Sequence, residues 1–262
     1  MKQSRRSFLK IAGVSALGLS AASNAHAIGE YFIPSEQAIK DRNVKEGERW
    51  GMVIDTHKLT PELNEKIAHA CHVKHNVPEL PEKYKAQEIK WIWEEHYKHA
   101  FTQQENEFQA EHAKHAPILV LCNHCENPPC VQACPTKATF QREDGIVLMD
   151  FHRCIGCRFC MAACPYGSRS FNFQDPRNGL EDGKPTNPQF PTRCKGVVEK
   201  CNFCAERLAV GKLPYCVEAS KGAIVFGDLH DENSDVRKVL KENYTIRRKA
   251  SLGTGPSVFY IV

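Results

Sequence analysis

Eight cysteines between positions 122 and 164 constrain this chain more than any other feature of its sequence. They form two quartets, and a Cys-Pro pair closes each of them. The chain has an odd total of 13 cysteines, and the eight are spaced too tightly for most of them to pair as disulfides. A framework of metal ligands is therefore favoured over a disulfide scaffold. The quartets are Cys122-x2-Cys125-x4-Cys130-x3-Cys134-Pro135 and Cys154-x2-Cys157-x2-Cys160-x3-Cys164-Pro165.

This spacing is the ligand pattern of two [4Fe-4S] clusters in bacterial ferredoxins, where the last cysteine of each quartet ligates the cluster of the other quartet. Zinc also uses Cys-x2-Cys pairs, but it does not explain fourth ligands that cross over. The longer gap before Cys130 contains Pro128 and Pro129, which indicates a wider loop. We predict a first set of ligands, Cys122, Cys125, Cys130 and Cys164, and a second set, Cys154, Cys157, Cys160 and Cys134.

The segment before the quartets contains a degraded copy of the second quartet. Residues 53–59 parallel residues 148–154, and Leu59 stands at the position of the first cysteine. Of the four cysteine positions only the last survives, at Cys71, which corresponds to Cys164. This copy has lost the three cysteines of its own cluster and kept the one that would serve another.

Residues 201–220 repeat the first quartet in the same way, with three cysteines kept and Ser220 in place of the fourth. Because the fourth cysteine of a motif serves the partner motif's cluster, Ser220 marks the same lost cluster as Leu59. We therefore predict three [4Fe-4S] clusters, and Cys194 is left over as a free or buried thiol. The third set of ligands is Cys201, Cys204, Cys216 and Cys71.

The paired motifs predict an α+β fold made of two pseudo-symmetric, two-cluster ferredoxin-like units, one inserted in the other. Residues 117–186 are the inner unit. Residues 28–116 and 187–262 are the degenerate outer unit, which includes a helical insertion and a C-terminal tail. The helix is predicted over residues 81–116 from apolar and aromatic side chains at roughly helical spacing. It either packs on the cluster units or forms a docking element for a partner.

The first 27 residues resemble an export signal of the twin-arginine type. Arg5 and Arg6 precede a short apolar run, and Ala25-His26-Ala27 resembles a cleavage site. An uncleaved anchor is the alternative. Without this leader the chain has 31 basic and 31 acidic residues, since four of its 35 basic residues lie there. We therefore expect no nucleic-acid binding. The leader predicts a periplasmic location. We expect membrane contact only through a partner.

At the level of longer motifs, the chain resembles the four-cluster iron–sulfur subunits of membrane-anchored oxidoreductases (the DmsB, PsrB and NrfC type). The resemblance lies in residues 150–167, 198–204, 211–219 and 252–260. Within the family, the leader, the lost first cluster and the segment at 70–78 resemble DsrO, the iron–sulfur subunit of DsrMKJOP complexes of sulfur metabolism. Residues 91–95 fit that subgroup as well.

The resemblance implies an electron-transfer subunit of a quinone-linked respiratory complex and no catalytic residue. It also implies two partners, an NrfD-type integral membrane subunit that interacts with quinone and a multihaem cytochrome c subunit. The alternative within the family is the iron–sulfur subunit of a molybdopterin-type reductase, such as polysulfide or tetrathionate reductase. Outside it, a catalytic cluster with only three ligands would require Cys71 to lie far from the third set, and a zinc or disulfide scaffold would contain no iron.

Overall fold

The computed structural model describes residues 48–104, 107–108 and 114–262. The predicted leader and its cleavage site lie outside the described residues, as does part of the predicted helix before residue 116. Within the described segments, no helix has the length and apolar character needed to cross a bilayer.

The fold mixes short strands with short helices, so the predicted α+β class is confirmed. The strands are β1 (Trp50–Asp55), β2 (Ile92–His96), β3 (Pro117–Leu121), β4 (Thr139–Gln141), β5 (Val147–Met149), β6 (Ser170–Phe171), β7 (Val198–Glu199), β8 (Ile224–Asp228), β9 (Thr245–Ile246) and β10 (Val258–Ile261). The α-helices are α1 (Pro61–Lys74), α2 (Tyr97–Ala100), α3 (Pro129–Gln132), α4 (Phe159–Ala163), α5 (Ala205–Leu208), α6 (Tyr215–Ala219) and α7 (Asp235–Glu242).

The largest sheet joins the two ends of the described chain. Its strand order is β8-β1-β10-β9, with β1 antiparallel to β8 and parallel to β10. Met52 is opposite Val258 in the parallel pair, and Ile54 is opposite Tyr260. All four of these side chains are buried, because β1 is covered on both faces, as its almost uninterrupted apolar run indicates.

Three two-stranded sheets surround the cysteine motifs. β4 and β5 form an antiparallel hairpin between the two quartets. β6 pairs with β7, so a strand at Ser170–Phe171 is held by a strand at Val198–Glu199. These two strands lie on opposite sides of the boundary that the repeats place between residues 186 and 187.

The predicted helix over residues 81–116 is wrong in its central part. Residues 82–87 form a 3-10 helix, 92–96 form strand β2, and 97–100 form a short α-helix. β2 pairs antiparallel with β3, with Ile92 opposite Leu121. The spacing of Ile89 and Ile92 fits a helix as well as a strand, and the aliphatic partner strand β3 decides between the two, as tertiary pairing often does. The predicted helical insertion is therefore a strand pair with short helical turns.

Helix α1 brings Cys71 into the interior of the protein. It begins at Pro61, and the Thr60 side chain accepts a hydrogen bond from the Leu63 amide at 3.2 Å. The amide of His75 closes its C-terminal end by donating to the Cys71 carbonyl at 3.1 Å. Thr60 therefore satisfies one of the free amides at the start of the helix.

Replacing the helix cap should destabilise the fold. We expect Thr60→Ala to lower the free energy of unfolding by about 1 kcal/mol, because the cap hydrogen bond is lost. Thr60→Ser keeps the hydroxyl and should stay close to the wild type. The measurement is the urea midpoint of the purified protein, and equal midpoints for the alanine and serine variants would contradict this role of Thr60.

Candidate metal-cluster sites

The first set of cysteines surrounds a cavity. All four predicted members line it, together with Pro128, Pro129, Tyr166 and Arg169. Cys122 follows β3 directly, Cys130 lies in α3, and Cys164 ends α4. The structure thus brings Cys164 across from the second quartet to join three cysteines of the first.

The two prolines explain the unusual spacing of the first quartet. Pro129 is the first residue of α3, a position where proline costs nothing because the amide there has no helical partner. The helix starts at once after the wider loop and turns Cys130 back toward the cavity. The insertion therefore changes the loop without removing its cysteine from the set.

Burial dominates the chemistry of the first set. It raises the pKa of Cys125 to about 12, and charges on Cys122, Cys130 and Cys164 raise it further, while a hydrogen bond with the Thr254 side chain lowers it. Burial also raises the pKa of Cys130, and such buried sulfurs need a positive centre among them to become thiolates.

The second set surrounds a cavity lined by Cys134, Cys154, Cys157 and Cys160. Cys134 comes from the first quartet, so the crossing is reciprocal. Cys157 is exposed, whereas Cys160 is buried. Cys157 therefore places one cysteine of the second set at the protein surface.

Hydrogen bonds prepare Cys134 to be a thiolate. Burial would raise its pKa, but the Thr139 amide and the Thr136 side chain and backbone outweigh that and leave the pKa below its usual value. The Thr139 amide donates to the sulfur at 3.5 Å, and the Thr136 hydroxyl lies 3.7 Å from it. Amides that point at sulfur are also a means by which proteins set cluster potentials.

The third set combines a helix from the N-terminal part of the chain with two motifs from the C-terminal part. Cys71 lies near the end of α1, Cys216 lies in α6, and Cys201 and Cys204 lie in the loop before α5. All four are buried. Phe203 and Cys204 adopt left-handed backbone conformations, with φ of 54° and 50°, which fold this loop tightly around its sulfurs.

The sulfurs of the third set influence one another strongly. Burial raises the pKa of Cys71 well above its usual value, and charges on Cys204, Cys201 and Cys216 raise it further. Burial likewise raises the pKa of Cys216 to about 12. Cys71 therefore lies with the C-terminal cysteines, and a set with only three cysteines is not what the structure contains.

His75 and Glu206 lie against the third set. The His75 Nδ1 atom is 2.7 Å from the Cys71 carbonyl oxygen and 3.5 Å from its sulfur, and Nε2 is 3.0 Å from Glu206 Oε1. The ring also stacks on Trp91 at 4.7 Å. The sequence shows His75 only as one of 12 histidines; its position four residues after Cys71 on one helix face was the available signal.

The three sets are neighbours in series. Cys130 of the first set and Cys160 of the second belong to one apolar cluster with Val147 and Val198. Cys122 of the first set is close enough to Cys201 of the third that its charge, after burial, is a leading cause of the raised pKa there. The first set therefore lies between the second and the third.

The donor chemistry fits iron–sulfur clusters. Each set offers four sulfurs, three from one short segment and one from a distant segment, and apolar residues surround them. Soft thiolate donors select iron–sulfur clusters, zinc or copper(I), and among these the crossed fourth cysteine is the ferredoxin arrangement.

The positions left out of the three sets have other surroundings. Cys194 is exposed, so of the two environments predicted for it the structure shows the free thiol. Leu59 is buried in the main apolar core. The Ser220 hydroxyl donates to the Val217 carbonyl at 2.7 Å and accepts from the Ile224 amide at 3.1 Å. Both positions at which the repeats lose a cysteine are thus absorbed into local packing.

Sequence reasoning missed two buried cations beside the cysteines. Arg169 lines the first cavity, and the Lys200 ammonium donates to the Cys201 carbonyl at 2.7 Å. Their only sequence signals are the positions five residues after Cys164 and immediately before Cys201. His124, inside the first loop, stacks on Phe203 at 3.7 Å.

Comparison with known proteins agrees with this geometry. Residues 118–178 match the 4Fe-4S dicluster domain family. The chain is 43% identical to the Hdr-like menaquinol oxidoreductase iron-sulfur subunit 1 of Archaeoglobus fulgidus, over 98% of this chain and 97% of that protein. It is 33% identical to the menaquinone reductase iron-sulfur cluster-binding subunit of Nitratidesulfovibrio vulgaris, over 81% and 88%.

A third relative is a polysulfide reductase polypeptide of Wolinella succinogenes, which is 42% identical over 53% of this chain and 64% of its own length. The names of the first two relatives describe iron–sulfur subunits. The chain belongs to the family of 4Fe-4S electron-transfer subunits of membrane-bound oxidoreductase complexes.

Proposed function

We propose that this chain is the periplasmic electron-transfer subunit of a quinone-linked respiratory complex and that it holds three [4Fe-4S] clusters. The observation that carries the proposal is the arrangement of twelve cysteines in three groups of four that follow one another through the interior. A [4Fe-4S] cluster, when bound, supplies a one-electron redox centre.

Each proposed ligand set is the one predicted from the spacing. The first would use Cys122, Cys125, Cys130 and Cys164. The second would use Cys134, Cys154, Cys157 and Cys160. The third would use Cys71, Cys201, Cys204 and Cys216. The two cavities and the mutual effects on pKa support these sets, and the packing of Leu59 and Ser220 supports a count of three.

The remaining residues keep water out and support the sulfurs. Apolar side chains such as Val147 and Val198 fill the space between the first and second sets. The amides of Thr139 and Phe203 donate to Cys134 and Cys201, at 3.5 and 3.4 Å. A dry interior with oriented amides would hold the clusters close together and limit the cost of changing their charge.

We also propose that the chain is a duplicated unit, with residues 117–186 inserted into an outer half formed by 28–116 and 187–262. The pairing of β1 with both β8 and β10 supports it, because strands from either end of the chain share one sheet. The extra pairing of β6 with β7 ties the two halves together.

The proposed partners rest on the family resemblance. An NrfD-type membrane subunit would exchange electrons with quinone, and a multihaem cytochrome c subunit would be the other redox partner, as in a DsrO-like complex of sulfur metabolism. Two relatives with names that include menaquinol oxidoreductase and menaquinone reductase support the quinone link. The twin-arginine pattern at Arg5 and Arg6 supports export to the periplasm after folding.

A second candidate is the iron–sulfur subunit of a molybdopterin-type reductase. Its support is the similarity to the polysulfide reductase polypeptide and to a tetrathionate reductase polypeptide of Salmonella typhimurium, the latter 42% identical over 54% of this chain and 50% of its own length. Purification of the tagged protein with its partners from membranes separates the two. A co-purified haem c protein supports the first proposal, and a molybdopterin protein supports the second.

The metal content of the purified protein tests the three sets directly. We expect about twelve iron atoms and a similar number of sulfides per chain, because each cube holds about four of each. Zinc in place of iron, or about sixteen irons, would contradict three [4Fe-4S] clusters. Iron, acid-labile sulfide and zinc are measured on the same sample.

Removing Cys71 should affect one cluster only. We expect Cys71→Ser to lower the iron content by about four atoms and to remove one EPR signal, because the third set loses its only N-terminal ligand. Cys194→Ser is the matched control and should keep all the iron, since Cys194 is exposed. Ser220→Cys should add no cluster. Loss of a signal from either other set in Cys71→Ser would contradict the proposed pairing.

Gly156 should be essential for the second set. A Cβ atom there would lie 2.3 Å from the Gly196 carbonyl oxygen, and its φ is +72°. We therefore expect Gly156→Ala to push apart the loop that carries Cys154 and Cys157 and to cost about four irons. Gly167 has a similar φ of +66° with nothing within 4 Å, so Gly167→Ala should retain its iron. Equal iron contents in the two variants would contradict the steric role.

A further inference from the structure

Arg169 is a buried guanidinium between two sets of cysteines. It is 5% exposed. Its Nη1 atom donates to Thr139 Oγ1 at 3.0 Å and to the Met149 sulfur at 3.1 Å. In the part of the chain that the structure describes, no carboxylate forms an ion pair with the Arg169 guanidinium. Arg169 thus points an unneutralised charge into the first cavity.

The charge of Arg169 acts on both neighbouring sets. Arg169 lines the first cavity, and the two side chains that accept hydrogen bonds from it, Thr139 and Met149, line the second. Since Cys130 and Cys160 share one apolar cluster, the guanidinium lies at the junction of the first and second sets.

Lys200 occupies the corresponding place between the first and third sets. It is 3% exposed, and its ammonium donates to the carbonyl oxygens of Val147 and Cys201. Among the described residues, no carboxylate forms an ion pair with it. Val147 lines the first cavity and Cys201 belongs to the third set, so the ammonium lies between these two sets.

A third buried cation shows that the fold can neutralise such a charge with a carboxylate. Arg193 is fully buried and forms an ion pair with Glu199 Oε2 at 2.5 Å. Glu199 also accepts hydrogen bonds from Trp91 Nε1 at 2.8 Å and Asn172 Nδ2 at 2.6 Å. A buried charge without a partner is costly, so Arg169 and Lys200 require anions that no described carboxylate supplies. Clusters held by four thiolates are such anions.

We propose that Arg169 is the counter-cation between the second and first clusters and that Lys200 is the counter-cation between the first and third clusters. Each cation stabilises the reduced state of the clusters on either side of it. This inference rests on the proposed function. A cation stabilises the more negative, reduced state, so it raises the potential of a neighbouring cluster. The first cluster lies next to both cations, so each of them raises its potential.

Four variants and a control test the assignment in the full-length protein. Arg169→Gln and Lys200→Gln remove one charge each, whereas Arg169→Lys and Lys200→Arg keep it. Lys241→Gln removes a charge from the exposed face of α7 and serves as the control. The readouts are iron content and the midpoint potential of each cluster, followed by EPR during a redox titration. A midpoint does not depend on signal amplitude, so it remains measurable where loading is partial.

The expected result is a pattern across clusters. Arg169→Gln should lower the equilibrium constant for reduction of the first and second clusters at least tenfold. For a one-electron couple this lowers the midpoint potential by about 59 mV. Lys200→Gln should do the same to the first and third. The midpoint potential of the first cluster therefore shifts in both variants. That of the second shifts only in Arg169→Gln, and that of the third only in Lys200→Gln. The charge-keeping variants and Lys241→Gln should change the equilibrium constant for reduction of each cluster less than threefold.

Other outcomes overturn the assignment. Midpoints that do not move in either glutamine variant, or that move equally in Lys241→Gln, show that the cations do not set the potentials. If both Arg169→Gln and Arg169→Lys lose iron, only the shape of the arginine side chain matters. If Arg169→Gln alone loses iron, the positive charge is needed. A wild-type protein without iron would refute the proposed function. Full iron with unchanged midpoint potentials would refute only the role of the two cations.

Discussion

The burial of cysteine sulfurs is the constraint on which the rest of this structure depends. Thiols in a dry interior resist ionisation, and in the third set the charges of neighbouring cysteines raise the pKa of Cys71 and Cys204 further. Such groups become thiolates only around a positive metal centre, so metal binding and folding are coupled. The crossed arrangement strengthens this coupling, because each set needs one cysteine from a distant segment. The tertiary fold and the sites therefore form together.

The cysteine spacing carried most of the information about the sites. It separated ligand motifs from disulfides, and it predicted that Cys164, Cys134 and Cys71 each cross to another motif, which is where the structure places them. Whether these groups bind three clusters stays a prediction. The spacing was informative because a cube requires four sulfurs at fixed separations, and few loop lengths provide them.

Side chains outside the motifs could not be assigned in this way. The segment around Ile92 has an apolar pattern that fits both a helix and a strand, and its pairing with Leu121 on β3 decided the outcome. Arg169 and Lys200 look like ordinary basic residues in the sequence. Their importance follows from burial and from the absence of acids among their described neighbours, and a linear pattern contains neither.

The parallel pairing of β1 with β10 has a consequence for biogenesis. Met52 and Val258 meet only after nearly all of the intervening chain has been synthesised, and contacts of such long sequence separation form slowly. The first and second sets, by contrast, are complete within residues 122–164. Assembly is thus ordered in time, with the two inner sets able to receive metal early and Cys71 joining its partners last. The third set therefore needs both ends of the described chain, whereas the first two sets do not.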